Sequence, residues 1–598
     1  MPEARQQHAR PPTGGNAYMR DLLEMSVLAA IIGAATGLVA VGVRLAIALI
    51  TGLAFRQRVE FEFTSPQLNN LGWLVILVPA VGAAIAWAIV RVVSNDDRIR
   101  GSTEVVRGVA TRRGRISRRK MVGHATATVV SVGAGGSAGR EGAMVQFGAM
   151  FGMMASIIMG QSVRHRKILL AAGGAAAIGG TFNTPIAGVI FAMEVILLEW
   201  TTRAFVPLTV ASAMSTLVTT SILNTSEPAF PIPAYSLHSP RELGLYILLG
   251  VLAGLLSIAV LRSLAASDRV FGKVPGPAWV RPIAGGLLVG VVGFLVPEVF
   301  GVGYETVQRV LHGEFIARNL AVILVAKLIA FALTRGSGGA SGAFSPSLFL
   351  GACLGGVFGA AANTVFPGVT GGAGAYALVG MAAVYAAVTR ASLTAVVMLY
   401  EMTHTFSIII PVMLAVVVAD AMAKAYGEGN FYRPGARRAA LETDAAVNIL
   451  DVVTVGEIMA KDVDTVRAEE PVRTVVEKRF ATGHQGYPVR DANDRLVGII
   501  TATDMRRKVK EGDLDRPVSD FMTRDPVCVT PSTTAHEALT EMVRMDVGHL
   551  PVVDEMDPKK LVGFLTRTDL VNVERRAWEE EEPGQVTLDP RRVLRHQE

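Results

Sequence analysis

The sequence predicts a mainly α-helical membrane protein with broken helices, followed by a soluble α/β pair. Three observations predict this fold class. Of the 598 residues, 51% are hydrophobic, and the mean hydropathy is +0.41, which is more apolar than a soluble chain of this size. Apolar stretches recur up to about residue 425, and charges reach the density of a soluble domain only from Ile449 onward. Each of the two parts also repeats internally.

The apolar stretches differ in length. Several reach the roughly 20 residues that a helix needs to span a bilayer, and others are shorter, which predicts tilted and incomplete spans. The first is too long for the core of a cleaved signal peptide. We therefore expect a multi-pass integral membrane protein. Examples are Met25–Val43, Leu71–Val90, Leu245–Leu261, Pro282–Pro297, Leu320–Leu333 and Ile408–Val418.

Positive charge is concentrated in one loop. Ten Lys and Arg residues lie between Arg91 and Lys120, against Asp96, Asp97 and Glu104. By the positive-inside rule this loop is cytoplasmic. Topology then explains the net charge of +6, and we expect no nucleic-acid partner. With two cysteines in the chain, neither a disulfide framework nor a cysteine metal site is expected. No metal site and no tightly bound cofactor are expected.

Composition divides the chain into six segments. The boundaries follow the change from apolar to charged sequence near residue 433 and the internal repeats. They are a polar tail (1–19), a membrane domain (20–433, with repeats at about 20–225 and 240–433), a linker (434–454), two soluble repeats (455–513 and 514–575) and a charged tail (576–598).

The membrane part repeats weakly. SAGREGAMVQFGAMFG aligns with ASGAFSPSLFLGACLG at an offset of 203 residues, and GGAAAIGGTFNTPIAGVIFAME aligns with GMAAVYAAVTRASLTAVVMLYE at an offset of 207. Two halves with glycine-interrupted apolar segments at matching places are typical of repeat transporters, whose site lies where broken helices meet. The matched pairs include Gly139 with Gly342, Gly148 with Gly351, Gly173 with Gly380 and Glu194 with Glu401.

The stretch GGSAGREGAMVQFG, residues 135–148, marks the first break. A charge at the bilayer centre costs at least ~2.5 kcal/mol, so Arg140 and Glu141 are not expected in mid-helix. A helix starting at Gly142–Ala143 points its free N–H groups and positive dipole end into the gap, as a second does near Phe344–Ser345. Converging N-termini form an anion site.

Glu141 lies at the mouth of this site. Its carboxylate would occupy the place of an anion when ionised and would leave when protonated, so the position predicts a gate. The alternative is a structural ion pair between Arg140 and Glu141, which is disfavoured because adjacent residues rarely satisfy each other.

The soluble part repeats at an offset of 63 to 65 residues: EIMAKDV matches DFMTRDP, GYPV matches HLPV, and LVGIITATD matches LVGFLTRTD. LVGIIT and LVGFLT have the pattern of buried strands. A helix after Thr534 is expected to begin with a capping box to Glu537. In that helix Leu539, Met542 and Val543 should share one face.

These motifs resemble two known families. GREGA with VQFG, FNTPIAGVIFAME, GAFSPSLFLG and a final FY resemble the CLC chloride channel and transporter family over about residues 20–433, and the soluble repeat resembles a tandem CBS pair. The resemblance implies an inverted-repeat fold with chloride as the permeant ion. It also implies a homodimer with one anion path in each protomer, in a cell (inner) membrane with cytoplasmic CBS domains.

The resemblance also assigns residues. Glu141 would be the external gating glutamate, and Tyr432 would offer its hydroxyl to the central anion; an interfacial tyrosine at a helix end is the alternative for Tyr432. Ala143 stands where the family usually has proline, a mild departure. Backbone amides at Gly142, Ala143, Ala343 and Phe344 would line the path.

Two further departures bear on the mechanism. RIRGSTE replaces the family's GSGIP-type loop, so either Arg100 or, after a shift of register, Ser102 would enter the path beside Gly101. The family's internal proton glutamate falls on Val195, which cannot carry a proton. Glu194 is an alternative proton carrier, although a structural helix-end carboxylate is favoured there.

The resemblance therefore predicts a channel-like or weakly proton-coupled anion transporter, with a proton-coupled chloride/proton antiporter as the alternative. A rhomboid-like intramembrane serine protease is a distant alternative, since GASG at residues 339–342 contains Ser341 and His404 follows. A CBS-regulated magnesium channel is less favoured, because the membrane half has few carboxylates to bind Mg²⁺.

The CBS repeats each carry a T-x-x-D motif. Thr501 with Asp504, and Thr566 with Asp569, could hold the ribose and phosphate of AMP, ADP or ATP between the repeats. The alternative is a structural dimerisation module, because the same residues suit a helix N-cap.

Overall fold

A computed structural model describes residues 15–573 apart from short gaps, and its contacts divide the chain into two units, Met1–Asp444 and Ala445–Glu598. Residues 1–14 of the predicted polar tail, most of the predicted linker and the charged tail 576–598 lie outside the described residues. The gaps are 60–65, 68, 70, 112–113, 225–229, 231–238, 369, 427–428, 433–449, 451–452 and 556.

The first unit is helical. Seven of its described helices are long and apolar enough to cross a membrane, and shorter apolar helices lie among them, as the mixed lengths of the apolar stretches predict. The first half contains α1 (Gly15–Thr51), α2 (Leu77–Ile89), α3 (Ser102–Thr111), α4 (Arg118–Gly133), α5 (Glu141–Ile158), α6 (Val163–Phe182), α7 (Pro185–Phe191) and α8 (Thr202–Leu223). The second contains α9 (Glu242–Gly272), α10 (Val280–Leu295), α11 (Tyr304–Leu311), α12 (Ala317–Gly336), α13 (Phe344–Val365), α14 (Ala373–Thr389), α15 (Ser392–Thr403) and α16 (Ile409–Ala425).

The two halves share one plan at their helix crossings. α5 crosses α6 at Gly148 and Gly173, and α13 crosses α14 at Gly351 and Gly380. At each crossing a β-carbon would collide with the backbone of the opposite glycine. Small residues permit this close approach. The glycine pairs that the sequence alignment matches are therefore the crossing points of equivalent helix pairs.

The halves also share their chain reversals. α6 ends at Asn183 and α14 ends at Arg390, both in the left-handed conformation, with φ of 58° and 61°. α7 continues as a wider helical turn to Leu197, which ends at Leu198 with φ of 61°, and α15 ends at His404 with φ of 53°. The first reversal of each half leads into a short helix, α7 or α15, and the second leads into the longer helix that follows it, α8 or α16.

The second unit contains the soluble repeats. In each repeat two strands pair antiparallel around a proline, with Pro488 opposite Ile499 and Pro551 opposite Phe564. Both strand pairs carry a bulge at the equivalent position. The strands are β1 (Val466–Arg467), β2 (Gly486–Arg490), β3 (Leu496–Thr501), β4 (Thr523–Arg524), β5 (His549–Val553) and β6 (Leu561–Thr566), and the helices are α17 (Val455–Ile458), α18 (Val472–Thr482), α19 (Ala502–Lys508) and α20 (Ala535–Arg544).

The repeats exchange their leading segments. Thr523 of the second repeat pairs with Ile499 of the first, and Ala460 of the first forms a bridge with Phe564 of the second. A β-carbon at Gly498 would meet the sulfur of Met522 2.7 Å away, which explains the small residue in LVGIIT. This exchange joins the two repeats into one module.

Helix α20 confirms one local prediction and corrects another. Thr534 and Glu537 form the expected capping box. Met542 is buried, but Val543 is 68% exposed, so the prediction that it shares the buried face was wrong. The buried face turns instead through Ala535 and Ala538.

Candidate functional site

Three helices begin at one place in the membrane unit. α5 starts at Glu141 and α13 at Phe344, as predicted to within two residues, and α3 starts at Ser102. The amide of Gly101 donates to Ser341 Oγ at 2.9 Å, which ties the start of α3 to the loop before α13. Unpaired N–H groups at three helix N-termini therefore face a common region, where they favour negative charge.

The two repeat loops are joined directly at this point. Gly139 donates from its amide to the Gly342 carbonyl at 3.0 Å, and the two residues form an antiparallel bridge. These glycines are partners in the repeat alignment. A β-carbon at Gly342 would collide with the Gly139 carbonyl, so glycine is required for the two breaks to meet.

Glu141 points into the meeting place. The residue is 3% exposed, and its Oε1 accepts hydrogen bonds from Tyr304 Oη at 3.1 Å and from Ser345 Oγ. Its Oε2 is buried against Gly139, where a β-carbon would collide with it. The carboxylate thus lies between the N-termini of α5 and α13.

Arg140 does not supply the partner of this carboxylate. Its guanidinium lies 5.6 Å from the centre of the Tyr304 ring, and its Nε is buried without a hydrogen-bond partner. The hydrogen-bond partners of Glu141 come instead from α11 and α13, in the other half of the chain. The geometry therefore does not favour the structural Arg140–Glu141 pair.

The loop before α3 orients Arg100 away from the convergence. Its guanidinium lies near Asp96 at 3.6 Å and Glu104 at 3.7 Å, and 45% of the side chain is exposed. Gln146 of α5 donates its amide to the Arg100 and Gly101 carbonyls and holds the loop against α5. Of the two alternatives for this loop, the geometry favours Ser102 over Arg100.

Ser102 is buried, and its side chain lies close to that of Tyr432. Tyr432 follows Phe431, whose amide donates to the Val388 carbonyl at the end of α14 at 3.0 Å. The Tyr432 ring contacts Phe191 edge-on, with 6.1 Å between ring centres. The final FY motif therefore places the Tyr432 side chain beside the start of α3.

Glu194 and Glu401 cap helices of the opposite half. The Glu194 carboxylate accepts from the amides of Leu393 and Thr394 at 3.1 and 2.9 Å, at the start of α15. Glu401 accepts from the amides of Ile186 and Ala187 at 2.9 and 2.7 Å, at the start of α7. Carboxylates stabilise helix N-termini.

This reciprocal capping agrees with the structural role favoured for Glu194. The neighbouring Val195 is 5% exposed, in the wide helical turn after α7. It brings no ionisable group to the interior.

Sequence reasoning did not identify the Tyr304 and Ser345 hydroxyls as partners of Glu141, nor Lys327, which contacts the loop before Tyr304. Lys327 is fully buried and donates to the carbonyls of Val299 and Gly301 at 3.0 and 2.8 Å. A lysine within the apolar segment Leu320–Leu333 is a signal that could have been read, because intramembrane charges are costly. Tyr304 and Ser345 carry no such signal, since their role depends on tertiary contact.

The T-x-x-D motifs of the soluble repeats form helix caps. Asp504 Oδ2 accepts from the Thr501 amide and hydroxyl at 3.0 and 2.7 Å, and Asp569 accepts from Thr566 in the same way at 2.8 and 2.7 Å. Desolvation acts to raise the pKa of Asp504, but bonds from Lys508 and Thr501 outweigh it and lower that pKa. The Asp504 carboxylate is therefore ionised at neutral pH.

Comparison with known proteins decides the family. A model described as voltage gated chloride channel matches residues 81–424, and the CBS domain model matches 455–511 and 518–576. The chain belongs to the voltage-gated chloride channel (CLC) family. It is a membrane-embedded protein of an anion-transport family, with a CBS pair after the membrane domain.

Relatives of this CLC chain carry both channel and exchanger names. "Chloride channel protein CLC-e" of Arabidopsis thaliana is 30% identical over 75% of this chain and 74% of its own length. "H(+)/Cl(-) exchange transporter ClcA" of Salmonella agona is 28% identical over 71% of this chain and 91% of its own length. A crystal structure of a eukaryotic CLC transporter shares the fold, with a TM-score of 0.59 and 20% identity over 92% of this chain and 98% of that one.

Family membership weighs against the two distant alternatives. CLC proteins are transporters rather than enzymes, which does not favour the protease interpretation. In this CLC chain Ser341 accepts a hydrogen bond from the Gly101 amide, within the loop that precedes α13. For the magnesium-channel alternative, the described residues contain no group of three or more His, Cys, Asp or Glu that could hold a metal.

Proposed function

We propose that this CLC protein conducts chloride through each protomer of a homodimer, with Glu141 as the gate. The observation that carries the proposal is the position of the Glu141 carboxylate between the N-termini of α5 and α13. An ionised carboxylate there occupies the place that a permeating anion would take. Protonation removes the negative charge of the carboxylate and weakens its attraction to the N–H groups, so the side chain leaves and the path opens.

The proposed anion path runs from Glu141 past the N-termini of α13 and α3. Backbone amides near Gly142, Ala143, Ala343 and Phe344 line it, and the Ser102 and Tyr432 hydroxyls lie at its inner part. Hydroxyls and helix N-termini attract an anion without a full positive charge, so the anion is not held too tightly to leave. The Arg100 ion pairs keep that side chain out of the proposed path.

We further propose little or no coupling to protons. An inward proton route through ionisable side chains needs a titratable group beyond Glu141. Val195 has none, and the Glu194 carboxylate is committed to the amides of α15. Strict exchange, which the name of the Salmonella relative describes for that protein, is the second candidate.

Chloride flux tests the transport proposal. Purified protein in liposomes loaded with chloride should release it when the membrane potential is clamped, well above protein-free vesicles, and cross-linking should trap a dimer. A chloride electrode records the release. Absence of anion flux together with uptake of radiolabelled Mg²⁺, or with labelling of Ser341 by a serine-reactive phosphonate, would contradict the proposal.

We also propose that the CBS pair binds an adenine nucleotide through Asp504 and Asp569. The Asp504→Ala variant should bind ATP, ADP or AMP about tenfold more weakly, because a hydrogen bond to a charged group is lost. Titration calorimetry on the full chain measures this. Glu537→Ala is the matched control, since it removes an equivalent capping box on α20. No heat and no thermal shift with any of the three nucleotides would leave the module structural.

A further inference from the structure

Two hydroxyl groups from the second half of the chain contact the gate. Tyr304 Oη and Ser345 Oγ both lie within hydrogen-bonding distance of Glu141 Oε1, and they also lie 2.6 Å from each other. Their two protons therefore serve the carboxylate directly or through the neighbouring hydroxyl. Hydrogen bonds to a charged acceptor are about twice as strong as neutral ones. The pair therefore stabilises Glu141 most when the carboxylate is ionised and in the path.

We propose that Tyr304 and Ser345 form a latch that holds the ionised Glu141 carboxylate closed and sets the acidity at which it opens. The inference rests on the proposed role of Glu141 as the gate. Neither residue would bind the permeant anion in this role. Both act through Glu141 and are positioning residues.

The support beneath Tyr304 is fixed. Tyr304 begins α11 directly after Gly303, which has φ of +83°. In the loop before it, the Val299 and Gly301 carbonyls accept from the buried Lys327 Nζ, and the Gly301 amide donates to the Gly135 carbonyl at 3.3 Å. Gly135 lies in the loop that leads to Glu141. The loop before Tyr304 and the loop before Glu141 are therefore hydrogen-bonded to each other.

The Tyr304 ring has contacts that do not depend on its hydroxyl. Its centre lies 5.6 Å from that of Phe230 and 6.2 Å from that of Phe182, both edge-on, and Arg140 lies over its face. Phenylalanine at 304 can keep all of these contacts. The Tyr304→Phe variant therefore tests the hydroxyl alone.

The other groups that act on Glu141 are unchanged in this variant. Arg140 acts from the adjacent position, and the Tyr385 and Tyr432 hydroxyls lie within electrostatic range, on α14 and after α16. A change in the pH profile of Tyr304→Phe thus reports the lost hydrogen bond to the gate.

Chloride efflux from liposomes across a series of pH values measures the latch. Tyr304→Phe and Ser345→Ala should each move the midpoint of opening by about one unit to higher pH, which raises flux at neutral pH by up to about tenfold. The direction follows because the ionised, closed state loses a donor. Tyr246→Phe is the matched control: it removes a buried hydroxyl that bonds Glu242 at 3.3 Å on α9, and its pH profile should match wild type.

Combination with Glu141→Gln separates the latch from the gate. In that background Tyr304→Phe should add no further shift. Wild-type midpoints in both single variants would overturn the latch, while the gate stands if Glu141→Gln still abolishes the pH response. A pH response that survives Glu141→Gln would overturn the gate itself. If Tyr304→Phe does not yield monodisperse protein, the Ser345→Ala midpoint decides.

Discussion

Chloride flux through the Glu141→Gln variant is expected to be nearly independent of pH. In the wild type the ionised carboxylate blocks the path and the protonated form opens it, so flux should rise at least about tenfold from pH 8 to pH 5, in the direction that a titrating carboxyl dictates. Glutamine is neutral at every pH and resembles the protonated side chain in shape. The variant should therefore keep the high flux of the acid form throughout.

Efflux traces from liposomes at matched internal and external pH measure this difference. Glu314→Gln is a suitable control, because it neutralises an exposed carboxylate that pairs with Arg309 and should leave the wild-type profile unchanged. A variant whose flux still rises on acidification would mean that another group titrates the path. A silent variant that remains monodisperse would mean that the carboxylate is needed to bind rather than to block.

The convergence of helix ends at Glu141 was predictable from sequence because its cause is local. Glycines beside a charged pair in an apolar tract indicate a break, and the position of the break fixes where the next helix points its N–H groups. The repeat alignment then matched Gly139 with Gly342, and these residues form the bridge between the halves. A helix break depends on neighbouring residues, and a repeat appears when the chain is aligned with itself, so one sequence is enough to predict both.

The partners of Glu141 were not predictable, since they arise from tertiary contact. Tyr304 lies 163 residues from Glu141, and the sequence offered Arg140 as the nearer partner. The ungapped family register likewise pointed to Arg100, while acidic neighbours draw its side chain away and leave Ser102 facing Tyr432. The prediction that Val543 is buried on α20 was wrong for a related reason. Helical periodicity does not determine which edge of an apolar stripe packs against the core.

The capping glutamates show how the repeat constrains mechanism. Glu194 and Glu401 align in sequence, and each closes the N-terminus of a short helix in the opposite half. Because both carboxylates accept hydrogen bonds from helix N-termini, capping explains the presence of a glutamate at both positions. Glu194 differs from Glu401 in one further bond, which the Thr394 hydroxyl donates to it at 2.6 Å. That bond adds to the helix cap and does not free the carboxylate to carry a proton.

Wild-type protein is accordingly expected to move fewer than about one proton for every ten chloride ions, because no titratable side chain stands at the Val195 position to pass a proton inward. A chloride gradient imposed across lightly buffered liposomes should drive chloride flux with little uphill change in pH. A pH electrode and a chloride electrode in the same chamber give the ratio directly. Protein-free vesicles with a proton ionophore calibrate the proton signal.

Two variants identify which side chains carry any proton flux that is measured. Glu194→Gln should leave the ratio of protons to chloride ions unchanged. It should lower the free energy of unfolding by about 1 kcal/mol, the usual cost of weakening a helix cap. If Glu194→Gln instead abolished a measurable proton flux, Glu194 would be an inner proton carrier as well as a cap. Stoichiometric pumping that Glu141→Gln abolishes and Glu194→Gln spares would contradict weak coupling outright. It would keep Glu141 as the outer proton site and require an inward route, through water or the buried hydroxyls, that bypasses Val195.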